Sequence, residues 1–240
     1  MAGKQTGGKA PRFLWLASCV HIGEESHDAK LFAQYLSWAK RTKADIVIMG
    51  DLLDTGLCIG TKHIGSVWEN NLNPDEQIDR ACMLLAPVKK HLIGVVTGNH
   101  ELRSERVTSI NPLKQVALRL GVDYSGPSKV MRWRKWTLFV AHGMSGNLTS
   151  DFKKVLDGWE GINVIALGHV HHLMTQSIVR FVVEEGSAIV KSRRIHLIRT
   201  GNFLKYAKYA ALALHSPTDT GSAILEDNGS GKLKIHLGLP

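Results

Sequence analysis

Four short motifs, each just after an apolar run, put metal-ligating residue types where the chain should turn. They are Gly50-Asp51-Leu52-Leu53-Asp54, Gly98-Asn99-His100-Glu101, the single His142 in Val140-Ala141-His142-Gly143, and Gly168-His169-Val170-His171. Ser18-Cys19-Val20-His21 precedes them in the same kind of setting. A carboxylate such as Asp51 has two oxygens and can bridge two ions, and histidines supply neutral nitrogen to Zn, Mn or Fe. A glycine that opens a motif lets the backbone turn sharply and approach closely. Each motif alone is weak. Gly-Asp is common in turns, Asn-His also suits a turn, and an isolated histidine such as His142 is more often a hydrogen-bonded interior residue. In Gly168-His169-Val170-His171 the alternation places both histidines on one face of an extended strand. The ordered series as a whole predicts two clustered divalent ions (Mn, Zn or Fe) and hydrolysis of a phosphate ester by an activated water.

Strands that end at these motifs must carry them. Apolar runs predict buried strands over 13–17, 45–49, 91–97 and 162–167, and paired strands over 130–133 and 136–141. Leu31, Phe32, Tyr35, Leu36, Trp38 and Ala39 recur at helical spacing within 28–43. Asn73-Pro74-Asp75-Glu76 has the cap, proline and acid of a helix start, with Ile78, Ala81, Cys82 and Leu85 as its inner face. Asn111-Pro112 opens another helix, closed by Gly121, and 150–156 is a short one. After His172 the pattern is mostly strand, over 178–183, 194–198, 222–225 and 233–237. The order predicts an α/β (α+β) fold of two packed sheets with helices outside, its motifs at strand ends around a crevice.

The chain has 240 residues, 44% hydrophobic and 21% charged, enough for one substantial core. Because the motifs run from 19 to 171, one domain over 13–240 is expected, behind a flexible Gly- and Lys-rich tail over 1–12. No apolar run approaches the roughly 18 residues of a membrane helix, which excludes a membrane partner at this level. The first apolar run is too short for a signal peptide, and three cysteines without disulfide spacing suit a reducing cytoplasm. The net charge of +9 favours a polyanionic partner such as DNA, RNA or a nucleotide, and equally suits a basic surface that keeps the chain soluble. Two basic stretches, Lys129 to Trp136 and Lys191 to Arg199, read either as phosphate-contacting strands or as amphipathic strands whose tryptophans and aliphatics face the core. The loop over 55–73 should overhang the crevice, with Trp68 a packed anchor or a stacking platform for a base. Nothing in the sequence bears on oligomeric state.

The motif set, covering residues 18–172, resembles the calcineurin-like metallophosphoesterases, and among them the small members seen in phages and prophages. The resemblance extends more weakly to Thr200-Gly201-Asn202-Phe203-Leu204 and Gly221. It implies a four-layer αββα sandwich, two mixed β-sheets flanked by helices, with a dimetal site. By the same resemblance His21, Asp51 and His171 would hold the first ion. Asp51 would bridge, and Asn99, His142 and His169 would hold the second. His100 would stabilise the transition state or protonate the leaving oxygen. Asp54 and Glu101 would orient the ligands from behind, and Arg103 would reach substrate phosphate or pair with Glu101 or Glu105. The family's Asp-x-His is here Cys19-Val20-His21. Three outcomes follow: Cys19 ligates the first ion as a thiolate, favouring Zn or Fe over Mn or Mg; Glu24, Asp28 or water fills the gap; or the first site is weak. The reaction implied is that of a phosphodiesterase or nuclease. A phosphomonoesterase or protein phosphatase is the enzymatic alternative, and a non-catalytic nucleic-acid-binding protein on this scaffold the other.

Overall fold

Apolar runs too short for helices become the central strands. In the computed structural model, which describes residues 12–55, 72–183, 186–206 and 219–240, β1 (Arg12–Ala17) and β2 (Asp45–Met49) run parallel, and β2 runs parallel to β3 (Leu92–Val96). β9 (Gly221–Asp227) pairs antiparallel with β1, and β10 (Leu233–Leu237) with β9. A second set begins with β4 (Ser128–Trp133) antiparallel to β5 (Trp136–Ala141). β6 (Val164–Leu167) lies parallel to β5 and to β8 (Val190–Asn202), and β7 (Leu173–Val183) folds antiparallel onto β8. The sets join where Gly201 and Asn202 pair with Ser222 and Gly221. The result is a mixed α/β fold with one large mixed sheet.

Three of the described helices begin at side-chain caps. Asp28 accepts from Leu31 N–H to start α1 (Ala29–Thr42), and Lys43 closes it in the left-handed conformation. Asn73 and Glu76 cap α2 (Pro74–Leu85) reciprocally, and a 3-10 helix over Ala86–His91 follows. α4 (Pro112–Leu120) starts at Asn111 and stops at Gly121, and α5 (Ser150–Gly158) precedes β6. The sequence pattern did not predict α3 (Asn99–Thr108), which starts at the Asn99 motif itself. Its first turn is organised by the Glu101 carboxylate, which accepts from Gly98 N–H at 2.9 Å. β7 and β8 are longer than their apolar segments predict, because the cross-strand ladder carries polar residues such as Thr175 and Gln176 into register with Ile198 and Leu197. Of the tail expected over 1–12, only Arg12 is among the described residues, and it opens β1. The loop with Trp68 lies outside the described residues.

Apolar side chains gather in three clusters. One packs β1 and β2 against α1, α2 and α4; a second unites Leu14, Leu16, Val47 and Met49 with Leu138, Val140, Ala166 and Ile198 from the other strand set; a third lies between β5, β6, β8 and α5. Trp133 and Trp136 of the first basic stretch donate from Nε1 to Asp45 and Asp227 at 2.9 and 3.3 Å, so their indoles serve the core. No helix among the described residues is long and apolar enough to cross a membrane.

Trp15, fully buried on β1, meets the rings of Tyr35 at 5.4 Å, Phe32 at 5.8 Å and Phe203 at 6.1 Å. Aromatic truncation at such a site costs about 3–5 kcal/mol. Trp15→Ala is therefore expected to lower the urea midpoint with an unchanged m-value; a midpoint within error of the parent would show that this cluster does not anchor β1.

Candidate metal centre

The motif residues are brought together by backbone that side chains rarely adopt. Of the eight described non-glycine residues with positive φ, five belong to the motifs: Cys19 (51°), His21 (53°), Asp51 (49°), His169 (74°) and His171 (57°). Such conformations persist only where the surroundings impose them. This corrects the sequence reading of His169 and His171: they sit in a loop between β6 and β7, and left-handed backbone at each turns them inward where pleat alternation would not. The loops after β2 and β3 also touch. A Cβ on Gly98 would fall onto the Asp51 carboxylate, and one on Gly50 would lie 2.5 Å from Gly98 Cα, so two glycines let these loops meet. Glu101, fully buried, stitches them: its carboxylate accepts from Asp51 N–H at 3.0 Å, Leu53 N–H at 3.2 Å and Gly98 N–H at 2.9 Å.

Lone-pair atoms then converge around Asp51. The Asn99 amide stands 3.0 Å from His142 Nε2, 3.2 Å from Asp51 Oδ2 and 2.8 Å from His169 Nδ1; its hydrogen bonds are satisfied when the NH2 donates to these three atoms and the oxygen accepts from Arg103 Nη2. His142 Nδ1 donates to the Met49 carbonyl at 2.9 Å, which leaves Nε2 facing Asp51 Oδ2 at 3.0 Å. On the other side His21 Nδ1 bonds Asp54 Oδ1 at 2.9 Å. Its Nε2 is buried without a hydrogen-bond partner, 3.8 Å from Asp51 Oδ2. The His21 ring lies 5.3 Å from that of His171 and 4.7 Å from that of His100. Cys19, His21 and His171 offer ligand atoms within 4.8 Å of one another, as do Cys19, Asp51 and His142. An inward-facing carboxylate, a side-chain amide that can turn its oxygen inward, and imidazoles oriented by carbonyl or carboxylate partners have the composition of a divalent-ion centre.

Charge follows the same pattern. Burial opposes ionisation of Asp51, but His142 and His100 outweigh it and hold the carboxyl well below its usual range. Burial, then His21, push the His171 imidazole down to about 3, and burial with His142 lowers His169, so both stay neutral, the ligating form. Burial pulls His100 down, but Asp51 and the Asp54 contact at 3.0 Å outweigh it and raise the imidazole to about 9. Burial and then the Asp51 charge push the Cys19 thiol up. Its sulfur accepts from His169 N–H at 3.3 Å and lies 3.3 Å from Ser18 Oγ.

The carboxylates that the sequence offers in place of Cys19 are engaged elsewhere. Glu24 accepts from Ser26 N–H at 2.7 Å, and Asp28 caps α1. Glu105 accepts from Asn111 at 2.9 Å, and Arg103 Nη2 instead stands 3.1 Å from the Asn99 amide, at the rim of the cluster. Sequence reasoning passed over Ser18, whose hydroxyl donates to the Met49 carbonyl at 2.9 Å beside His142. It also passed over Asp151, Arg199 and Asn202, which bond the backbone of the motif loops. Asn202 Nδ2 donates to the His171 carbonyl at 2.8 Å, and the Thr200-Gly201-Asn202 segment was its signal.

In fold the chain is similar to a novel archaeal phosphodiesterase, at 13% identity over 93% of this chain and 98% of that one, with a TM-score of 0.50. The phosphoesterase Yfce from E. coli gives 16% identity over 94% and 98%, with a TM-score of 0.47. Vps29 complexed with zinc from Entamoeba histolytica gives 12% over 93% and 97%, with a TM-score of 0.45. At such identities the likeness is of fold alone. No protein-family model matches the chain, and no curated protein matches it.

Two outcomes follow from the site. Cys19→Asp is expected to change metal content or metal preference of the purified protein, measured by mass spectrometry; unchanged stoichiometry and preference would remove Cys19 from the ligands. In chelator-treated protein, the raised His100 contributes stability that is fully present below 6.5 and lost as pH rises through about 9. The fall in melting temperature across that window should therefore flatten in His100→Gln. An equal slope in parent and variant would mean that His100 is not held protonated.

Proposed function

We propose that the protein is a dimetal-dependent phosphoesterase that favours diesters, with nucleotides or nucleic acid as its substrate class. The observation that carries this reading is the convergence of Asp51 Oδ2, the Asn99 side-chain amide, His142 Nε2 and His169 Nδ1, with His21 Nε2 facing the same carboxylate from the other side. His21, His171 and Asp51, with Cys19 beside them, would hold the first ion; Asp51, Asn99, His142 and His169 would hold the second. Divalent ions bound there would activate a water and neutralise charge on the phosphoryl oxygens. Fold likeness to an archaeal phosphodiesterase is in keeping with this reading.

The chain's own residues supply the rest. His100 lies at the edge of the cluster, with Nδ1 3.0 Å from Asp54 Oδ1 and Nε2 4.0 Å from Asp51 Oδ2. In the protein without bound ions burial lowers its imidazole, but Asp51 and Asp54 outweigh this and raise it to about 9; its position at the edge of the cluster suits proton donation to a leaving alkoxide. Asp54 bonds His21, so one carboxylate oxygen orients that ring and also lies 3.0 Å from His100 Nδ1. Arg103 gives a fixed positive charge at the rim for a non-reacting phosphate oxygen. The net charge of +9 supports a polyanionic substrate. The three core clusters, one of them shared between the two strand sets, support reading the fold as a four-layer αββα sandwich.

Hydrolysis of bis-para-nitrophenyl phosphate with added manganese or zinc should exceed that of the monoester, and His100→Ala should lower kcat on the diester by about 10²–10⁴ with metal content retained. Faster monoester turnover would assign the phosphomonoesterase alternative. No turnover with any metal, with salt-sensitive DNA binding intact in His100→Ala, would assign the binding protein.

A further inference from the structure

β8 carries a fully buried arginine that the basic-stretch reading left open between phosphate contact and packing. Arg199 reaches no solvent. Its Nε donates to the Leu148 carbonyl at 3.0 Å, Nη2 to those of Leu148 at 2.9 Å and Asn147 at 3.1 Å, and Nη1 to that of Gly168 at 3.0 Å. The Phe152 ring supports it at 4.8 Å. Beside it Asp151 accepts from Met144 and Ser145 N–H at 3.1 and 3.0 Å. Together they fix the loop after β5 that follows His142, and Arg199 ties that loop to the one after β6 that bears His169.

The Gly168 carbonyl and the His169 N–H are two ends of one peptide group. Arg199 grips the first, and Cys19 Sγ accepts from the second at 3.3 Å. That peptide leads into His169 at φ 74°, a conformation that must be imposed. These groups meet around Gly143: a Cβ there would lie 3.0 Å from Asp151 Oδ2, 3.5 Å from Arg199 Nη1 and 3.9 Å from His169 Cβ. The held loops also line one cavity beside the cluster, formed by Gly146, Asn147, Leu148, His169, Val170 and His172.

We propose that Arg199 is the positioning residue of His169: with Cys19 it fixes the 168–169 peptide so that the imidazole faces Asn99 and His142, and it sets the cavity wall on that side. Five N–H donors in a planar fork suit this task, and a lysine ammonium cannot span the same carbonyls. The role in metal binding rests on the function proposed above; the role in holding the peptide does not.

The test compares the parent with Arg199→Lys, Arg199→Met and Leu197→Ala, the last a buried neighbour on the same strand that controls for general destabilisation. Both Arg199 variants should exchange the His169 amide hydrogen at least about tenfold faster relative to the amides of β6 in chelator-treated protein. Cobalt should bind one of two positions about 10–100-fold more weakly in Arg199→Lys, with an altered visible spectrum. Leu197→Ala, at a comparable loss of melting temperature, should keep parental exchange at His169 and parental cobalt binding. Parental His169 exchange and cobalt binding in either Arg199 variant would overturn the proposal, as would the same changes in Leu197→Ala. A parent that binds no cobalt would sink the metal reading, while His169 exchange would still decide whether Arg199 holds the peptide.

Discussion

A buried carboxylate holding backbone N–H groups is the constraint on which this site depends. Glu101 accepts from Gly98, Asp51 and Leu53, and so joins the loops after β2 and β3 at the point where Asp51 must enter the cluster. Burial, and then the Asp51 charge, raise the Glu101 carboxyl, so the same short distance that makes the joint useful strains it electrostatically. Three amide donors offset that cost. Without them Asp51, at φ 49°, would have no reason to hold its turn. Arg199 makes the matching joint on the opposite side, taking carbonyls where Glu101 takes amides. The cluster is thus framed by one buried anion and one buried cation, each spent on backbone.

The electrostatics inside the frame are arranged around the Asp51 carboxylate. Asp51 is held ionised by His142 and His100, and it raises both in return. His169 and His171 lie where burial and neighbouring imidazoles keep them neutral. One cluster therefore contains two imidazoles that Asp51 raises against burial, His100 at its edge and His142 within, beside His169 and His171, which are lowered. That separation suits a proton donor standing beside ligands.

The strand-end residues of the cluster were legible in the sequence because two local signals coincide there: an apolar run that must be buried, and a polar residue type that is costly to bury unpaired. Asp51, Asn99, His142 and His21 were found on that basis, and the structure gathers them. Helix starts at Asn73 and Asn111 were equally clear, since their caps are local chemistry. What stayed hidden depends on partners distant in the chain. Arg199 looked like one more cation in a basic strand, and its carbonyl partners lie 31 to 52 residues away. The turn at His169 and His171 was misread as extended because residue type gives no sign of left-handed backbone at histidine. The α3 start at Asn99 was missed because the side chain that organises it, Glu101, was read only for its relation to the ligands.

The thiol at Cys19 has a consequence for oxidation chemistry. Thiolates react with peroxides and alkylating agents, and thiols do so slowly. In the protein without bound ions, Cys19 is fully buried beside an ionised Asp51, and both effects favour the neutral S–H. The sulfur at the centre of the cluster is therefore chemically quiet, and sulfenic acid formation is slow there. A cation that drew the proton away would shield the same atom by coordination. Without bound ions this chain therefore carries a buried cysteine beside an ionised carboxylate in a setting that works against use as a redox sensor.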